Sequence, residues 1–195
     1  MSKGRLEAFS DGVIAILITI MVLELKAPTG TDLHALRATA PTLGVYVLSF
    51  VILGMYWNNH HHMLHATERI SGAVLWANLH LLFWLSLVTF VTNWMGQHPA
   101  DALPTATYGT VLLLAGCAYR ILQATIIRAQ GPGSRLQHAV GSDVKGKLSL
   151  VVYASAIPLA FVGWWIADAL YVAVAVMWFV PDRRIETQFH QAPIR

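Results

Sequence analysis

Long apolar segments separated by short polar stretches form the dominant pattern of this chain. A helix that crosses a bilayer needs roughly 20 predominantly apolar residues. Six segments approach that length, at approximately residues 6–25, 41–57, 71–95, 104–127, 148–165 and 167–180. The pattern predicts an all-α membrane protein with six transmembrane helices in residues 1–182, followed by a polar tail at residues 183–195.

Only a few residues separate the fifth segment from the sixth, which indicates a tight helical hairpin at residues 166–168. Trp164 and Trp165 come just before this turn, and tryptophan is favoured at the interface between membrane and water. One long helix bent at Pro158 is the alternative, because proline lacks a backbone donor and kinks a helix.

Composition excludes the soluble classes of protein. The chain has 195 residues, of which 56% are hydrophobic and 12% are charged. The charged share is about half of that in a typical soluble domain, so a soluble fold could not cover this much apolar surface. The formal net charge of +3 comes from scattered residues, and we therefore predict no nucleic-acid binding.

Lysine and arginine residues lie mostly in the loops of one side, which is typical of cytoplasmic loops. The opposite side holds Lys26 and Arg37, and Arg120 falls within the fourth segment. An even number of spans places both termini and the 183–195 tail in the cytoplasm, and we predict a multi-pass protein of the cell (inner) membrane. The cytoplasmic set comprises Lys3, Arg5, Arg69, Arg128, Arg135, Lys145, Lys147, Arg183, Arg184 and Arg195.

The first apolar segment begins at a carboxylate, Asp11, and is almost unbroken from there. Between Gly12 and Leu23 the only polar side chain is that of Thr19. A helix that is hydrophobic on all sides is buried in protein or in lipid, and periodicity alone does not show which face points where.

A motif at the start of this segment carries a resemblance to a known family. It reads Arg5-x-x-x-Phe9-Ser10-Asp11 and is followed by Gly-Val-Ile-Ala-Ile-Leu-Ile-Thr. This stretch resembles the first helix of the transmembrane protein 175 family of potassium channels, and Trp57 with the histidines after it adds to the match. Bacterial members of that family are single six-helix units, in agreement with the length of this chain.

The resemblance implies a homotetramer in which the first helix of each subunit lines one central pore for K⁺ and other monovalent cations. Its pore-facing positions correspond to Ile16, Ile20 and Leu23, which form one stripe at i, i+4 and i+7. Thr19 would offer a hydroxyl to ions, and Gly12 would widen the entrance. The implied filter and gate is a ring of aliphatic side chains, since a narrow apolar ring excludes water.

The polar members of the motif are interpreted as structural, and no catalytic residue or cofactor is predicted. Asp11 suits a helix N-terminus because of the helix dipole, and a buried carboxylate needs partners. The third segment carries side chains at the same predicted depth. We expect Arg5, Ser10 and Asp11, next to Phe9, to form a polar cluster with some members of the set Trp76, Asn78 and His80.

Two other functions remain open at this stage. The run from His60 to His65 would suit a metal-dependent membrane enzyme, because His61 and His65 share one helix face. Such sites usually need further histidines or carboxylates, and only Glu68 is nearby, so no metal site is predicted. A small proton-coupled transporter with Asp11 as the proton carrier is the second alternative.

Overall fold

The computed structural model describes residues 2–131, 134, 136, 137, 141 and 143–179. Arg135, the end of the sixth predicted span and the predicted tail at residues 183–195 lie outside the described residues. A 3-10 turn, Met21–Glu24, continues the first helix. The α-helices whose bounds lie among the described residues are α1 (Lys3–Ile20), α2 (Leu33–Ala38), α3 (Ala40–His65), α4 (Gly72–Gln97), α5 (Ala102–Gln130), α6 (Val144–Ala160) and α7 (Trp164–Phe179).

The all-α fold of a membrane protein is confirmed, whereas the number of membrane-crossing helices stays a prediction. In the described part of the chain, four helices are long and apolar enough to cross a bilayer: α1 with its 3-10 extension, α3, α4 and α5. Helix α6 has 17 residues and α7 has 16. Both are shorter than the roughly 20 residues that span a bilayer without adjustment.

The third helix extends eight residues beyond the end of the second predicted span. The prediction stopped near Trp57, where apolar residues give way to asparagine and histidine, but α3 continues to His65. Asparagine and histidine have moderate helix propensities and do not end a helix as proline does. The whole histidine run therefore lies on helical turns, which set the face of α3 on which each histidine lies.

The turn of the predicted hairpin lies earlier in the chain than residues 166–168. Helix α6 ends at Ala160, and the backbone N–H of Gly163 donates to the carbonyl of Leu159 at 2.9 Å. Proline in the last turn weakens the helix ladder there, so Pro158 coincides with the end of α6 rather than with a kink. Trp164 and Trp165 consequently begin α7, and the alternative of one long helix is wrong.

Helix α4 lies at the centre of the fold, between α3, α5 and α1. Its fully buried apolar residues recur at intervals of three, four and seven residues and include Leu81, Leu85 and Val88. This spacing keeps them on one side of a helix. They pack in the same core as buried residues of α1, α3 and α5, and α4 and α3 together hold the first helix.

Buried hydroxyl groups connect the three long helices α3, α4 and α5. Ser49 Oγ lies 2.9 Å from Tyr108 OH and 2.7 Å from Thr92 Oγ1. Buried polar groups of this kind are stable only when they are paired. Because the three residues come from three helices, the contacts fix the helices relative to one another along their length.

The fifth and sixth helices are joined by an ion pair. Arg120 Nη1 donates to Asp143 Oδ2 at 2.6 Å, and both side chains are partly buried. Asp143 precedes α6 in a left-handed conformation, and its Oδ1 accepts from the N–H of Gly146 at 3.2 Å. Arg120, which the sequence placed within an apolar segment, therefore has a carboxylate partner that also caps the next helix.

Candidate functional site

The first helix has two different faces. Its buried face includes Leu6, Ser10 and Ile14, and Met21 of the following 3-10 turn continues it. The opposite face carries Ile16, Ile20 and Leu23, whose side chains are 56%, 43% and 78% exposed. A helix with one buried and one uncovered apolar stripe needs something besides its own subunit to cover the second stripe.

The remaining residues of the predicted pore set lie on or beside this uncovered stripe. Gly12 is exposed, and a Cβ added there would meet no atom within 4 Å in the subunit. Thr19 is exposed as well, and its hydroxyl lies 3.0 Å from the carbonyl oxygens of Ala15 and Ile16. The Thr19 hydroxyl donates its hydrogen to the backbone of its own helix. Its oxygen lone pairs can therefore point away from the helix.

Polar contacts fix α1 at the end of the bundle where α1 begins and α3 ends, which we call the motif end. Asn78 Nδ2 donates to Ser10 Oγ at 2.9 Å, and His60 Nε2 lies 2.7 Å from Asn78 Oδ1. All three side chains are fully buried. In this orientation of the amide, Asn78 Oδ1 accepts, so His60 Nε2 is the donor.

Asp11 has a partner that the sequence analysis did not assign to it. Trp57 Nε1 donates to Asp11 Oδ1 at 3.0 Å. The predicted partners Trp76 and His80 do not reach it. Trp76 is 75% exposed, and His80 Nε2 accepts from Trp84 of its own helix at 2.9 Å. Trp76 and His80 lie on faces of α4 that do not point toward α1.

Arg5 also differs from the expectation of a shared polar cluster. It is exposed, and among the described residues it makes neither a hydrogen bond nor an ion pair within the subunit. Phe9, one turn later, is exposed too. Of the motif, Ser10 and Asp11 therefore contact the subunit's other helices, whereas Arg5 and Phe9 extend the uncovered face.

A second fixed point lies at the opposite end of α1 and was not found in the sequence. Asn93 Nδ2 donates to Glu24 Oε2 at 2.7 Å, and Gln97 Nε2 donates to Asn93 Oδ1 at 2.6 Å. Glu24 ends the 3-10 turn after α1, and the two amides are on α4. No local spacing links residues this far apart in the chain, so the sequence held no signal for the contact.

The exposed rings of Trp57, His61 and His65 follow one another along one face of α3. His61 lies 6.1 Å from Trp57 and 6.2 Å from His65 between ring centroids. Lys3 Nζ donates to the carbonyl of His65 at 2.6 Å. Within the described residues no group of three or more histidine, cysteine, aspartate or glutamate side chains could hold a metal ion.

Comparisons with known proteins agree with this architecture. The family model of the endosomal/lysosomal potassium channel TMEM175 matches residues 5–88. A potassium channel from a Chryseobacterium species is 48% identical over 186 residues, which cover 95% of this chain and 97% of that protein. A potassium channel from Streptomyces collinus is 29% identical over 202 residues and 98% of each chain.

A solved structure has the same fold. The crystal structure of a lysosomal potassium-selective channel TMEM175 homolog from Chamaesiphon minutus matches with a TM-score of 0.80 at 24% identity, covering 91% of this chain and 96% of that one. The Arg5-to-Asp11 motif also lies inside the region that the family model matches. The chain is therefore a membrane protein that belongs to the TMEM175 family.

Proposed function

We propose that this protein is a potassium-preferring cation channel, a homotetramer in which α1 of each subunit lines a central pore. The observation that carries the proposal is the uncovered aliphatic stripe of α1. Ile16, Ile20 and Leu23 are exposed on one face, while the opposite face is packed in the subunit core. In a closed ring of four copies the same stripe would meet itself around the symmetry axis.

Exposed aliphatic side chains would also suit contact with lipid. The other residues on the same face favour a pore. The same face carries Gly12 and the hydroxyl of Thr19, and it ends near charged Arg5. Polar and charged groups within a spanning helix usually face the interior of an assembly or water. The polar contacts at Ser10 and Glu24 also hold both ends of α1 on α4, as a rigid pore wall requires.

The proposed filter is a ring of four Ile16 side chains, with Ile20 and Leu23 forming wider rings beyond it. A narrow apolar ring expels water, so it acts as a gate, and an ion that crosses it must lose part of its hydration shell. K⁺ is larger than Na⁺ and loses water at lower cost. Thr19 precedes Ile20 in the sequence. Its hydroxyl oxygens would coordinate the ion in place of some of the water molecules that it loses.

Several relatives support this activity by their names. The proteins from Chryseobacterium and Streptomyces collinus are both named potassium channels, which favours a channel over the metal-dependent enzyme and over the proton-coupled transporter. The distribution of lysine and arginine supports an orientation with both termini in the cytoplasm, and we place the channel in the cell (inner) membrane. Lipid and the other three subunits are the partners that follow from this assignment.

The test is K⁺ and Na⁺ flux through liposomes that contain the purified chain. Ile16→Asn should wet the constriction, raise the flux at least several-fold and lower the ratio of K⁺ to Na⁺ flux. Ile121→Asn is the matched control, because Ile121 is 48% exposed on α5, away from α1. Equal effects of both substitutions, or none at Ile16, would contradict the pore assignment.

A further inference from the structure

Two exposed imidazoles on the last turns of α3 have the i, i+4 spacing of a chelating pair. His61 and His65 are four residues apart on one helix, and both are exposed. Their rings are nearly parallel, with 16° between the planes and 6.2 Å between the centroids. Residues at i and i+4 lie above one another on a helix, so both rings face the same volume of solvent.

Two histidines at this spacing are the helical part of known zinc sites. Imidazole nitrogen is a preferred ligand of Zn²⁺, Ni²⁺ and Cu²⁺. With metal–nitrogen distances of about 2.0–2.1 Å and a near-tetrahedral angle, the two ring centroids would lie roughly 5 Å apart. The rings need to approach by about 1 Å, which small rotations of two exposed side chains allow.

The surroundings decide what kind of site this is. The ring of His62 lies 5.8 Å from that of His61 in an edge-to-face arrangement, but no third histidine, cysteine or acidic side chain of the described residues completes a metal-holding group. Water would therefore fill the remaining positions, as in open and exchangeable sites. The positive charge of Lys3, which is bonded to the carbonyl of His65, disfavours the binding of a cation at this pair. Its charge is offset by Glu7, whose Oε1 lies 3.8 Å from Lys3 Nζ.

The pair is connected to α1 through one aromatic ring. The His61 ring lies 6.1 Å from the Trp57 ring and is tilted by 30° to it, and Trp57 Nε1 donates to Asp11 Oδ1 at 3.0 Å. We propose that His61 and His65 bind one divalent transition-metal ion per subunit, and that this ion modulates the channel by shifting His61 relative to Trp57, the donor to Asp11. The modulation rests on the proposed function, whereas the binding does not.

Binding is tested by calorimetric titration of Ni²⁺ into the full-length purified chain without an affinity tag. One ion per subunit is expected. His61→Ala and His65→Ala should each weaken binding at least tenfold and leave thermal unfolding unchanged, because both side chains are exposed. His34→Ala, an exposed histidine on α2, is the control. Unchanged binding in the two α3 variants, or equal loss in His34→Ala, would overturn the site.

Modulation is tested by K⁺ flux in liposomes with Ni²⁺ added on the side of the α3 C-terminus. Flux should change at least twofold in the unmodified chain and stay constant in His61→Ala with His65→Ala. Trp57→Phe should keep the binding but lose the effect, since it lacks the donor to Asp11. Binding without any change in flux would overturn the modulation. A chain that binds Ni²⁺ but passes no K⁺ would contradict the proposed function and leave the site intact.

Discussion

Asn78 joins three helices at one buried point through its side-chain amide. Its Nδ2 donates to Ser10 Oγ of α1 at 2.9 Å, while its Oδ1 accepts from His60 Nε2 of α3 at 2.7 Å. A single side chain therefore sets the distance of α1 and α3 from α4. Because all three residues are fully buried, water cannot replace either hydrogen bond.

Replacing Asn78 should destabilise the subunit strongly. Asn78→Ala leaves Ser10 and His60 without partners in the core, at a cost of about 2–4 kcal/mol. Thermal unfolding in detergent measures the effect as a lower midpoint than that of the unmodified chain. Asn58→Ala is the matched control, since Asn58 is an exposed asparagine on α3. Equal midpoints for the two variants would show that the buried contacts do not hold the helices together.

The motif end illustrates how far the sequence could predict these contacts. Asn78 was expected near the motif because it lies in the first half of its apolar segment, at the same predicted membrane depth as Ser10. The two side chains are hydrogen-bonded in the structure. His60 was not singled out, because four imidazoles in six residues look alike in a sequence. Only the continuation of α3 to His65 turns His60 inward and its neighbours His61 and His65 outward.

Close packing between α5 and α7 gives a second prediction, this time on stability alone. Gly109 faces the ring of Tyr171, and a Cβ at position 109 would overlap the Tyr171 hydroxyl oxygen. That hydroxyl donates to the carbonyl of Thr105 at 3.0 Å, so it cannot move away freely. Gly109→Ala should therefore cost about 1–3 kcal/mol, which is typical of an overpacked core.

Removal of the overlapping atom provides the control for this effect. Tyr171→Phe lacks the hydroxyl, and in its background Gly109→Ala should cost less than half as much. The thermal unfolding midpoints are measured for both single variants and for the double variant. Together they form a double-mutant cycle, which isolates the interaction between positions 109 and 171. Additive effects in the cycle would mean that the alanine acts elsewhere than on Tyr171.

The uncovered face of α1 shows where sequence reasoning stops. Every residue from Val13 to Ile18 is apolar, so periodicity could not separate the packed side from the free side. The distinction comes from tertiary contacts such as those of Ile14, which is fully buried, against Ile16, which is not. The hairpin turn was misplaced for a related reason, because apolar residues continue on both sides of Gly163 and leave its position to backbone hydrogen bonds.

Water access to Leu23 separates a pore wall from a lipid-facing helix. Thiols react with charged methanethiosulfonate reagents as thiolates, which form in water and not in hydrocarbon. In a Cys117→Ala background, Leu23→Cys should be modified by a cationic reagent and lose most of its K⁺ flux, because the cations bound at the mouth of the proposed pore would repel K⁺. Leu43→Cys is the matched control at the same end of the bundle, on α3, where Leu43 is 46% exposed. If both cysteines stay unreactive, the stripe faces lipid; if both react equally without loss of flux, Leu23 is wet but lies outside the path of the ions.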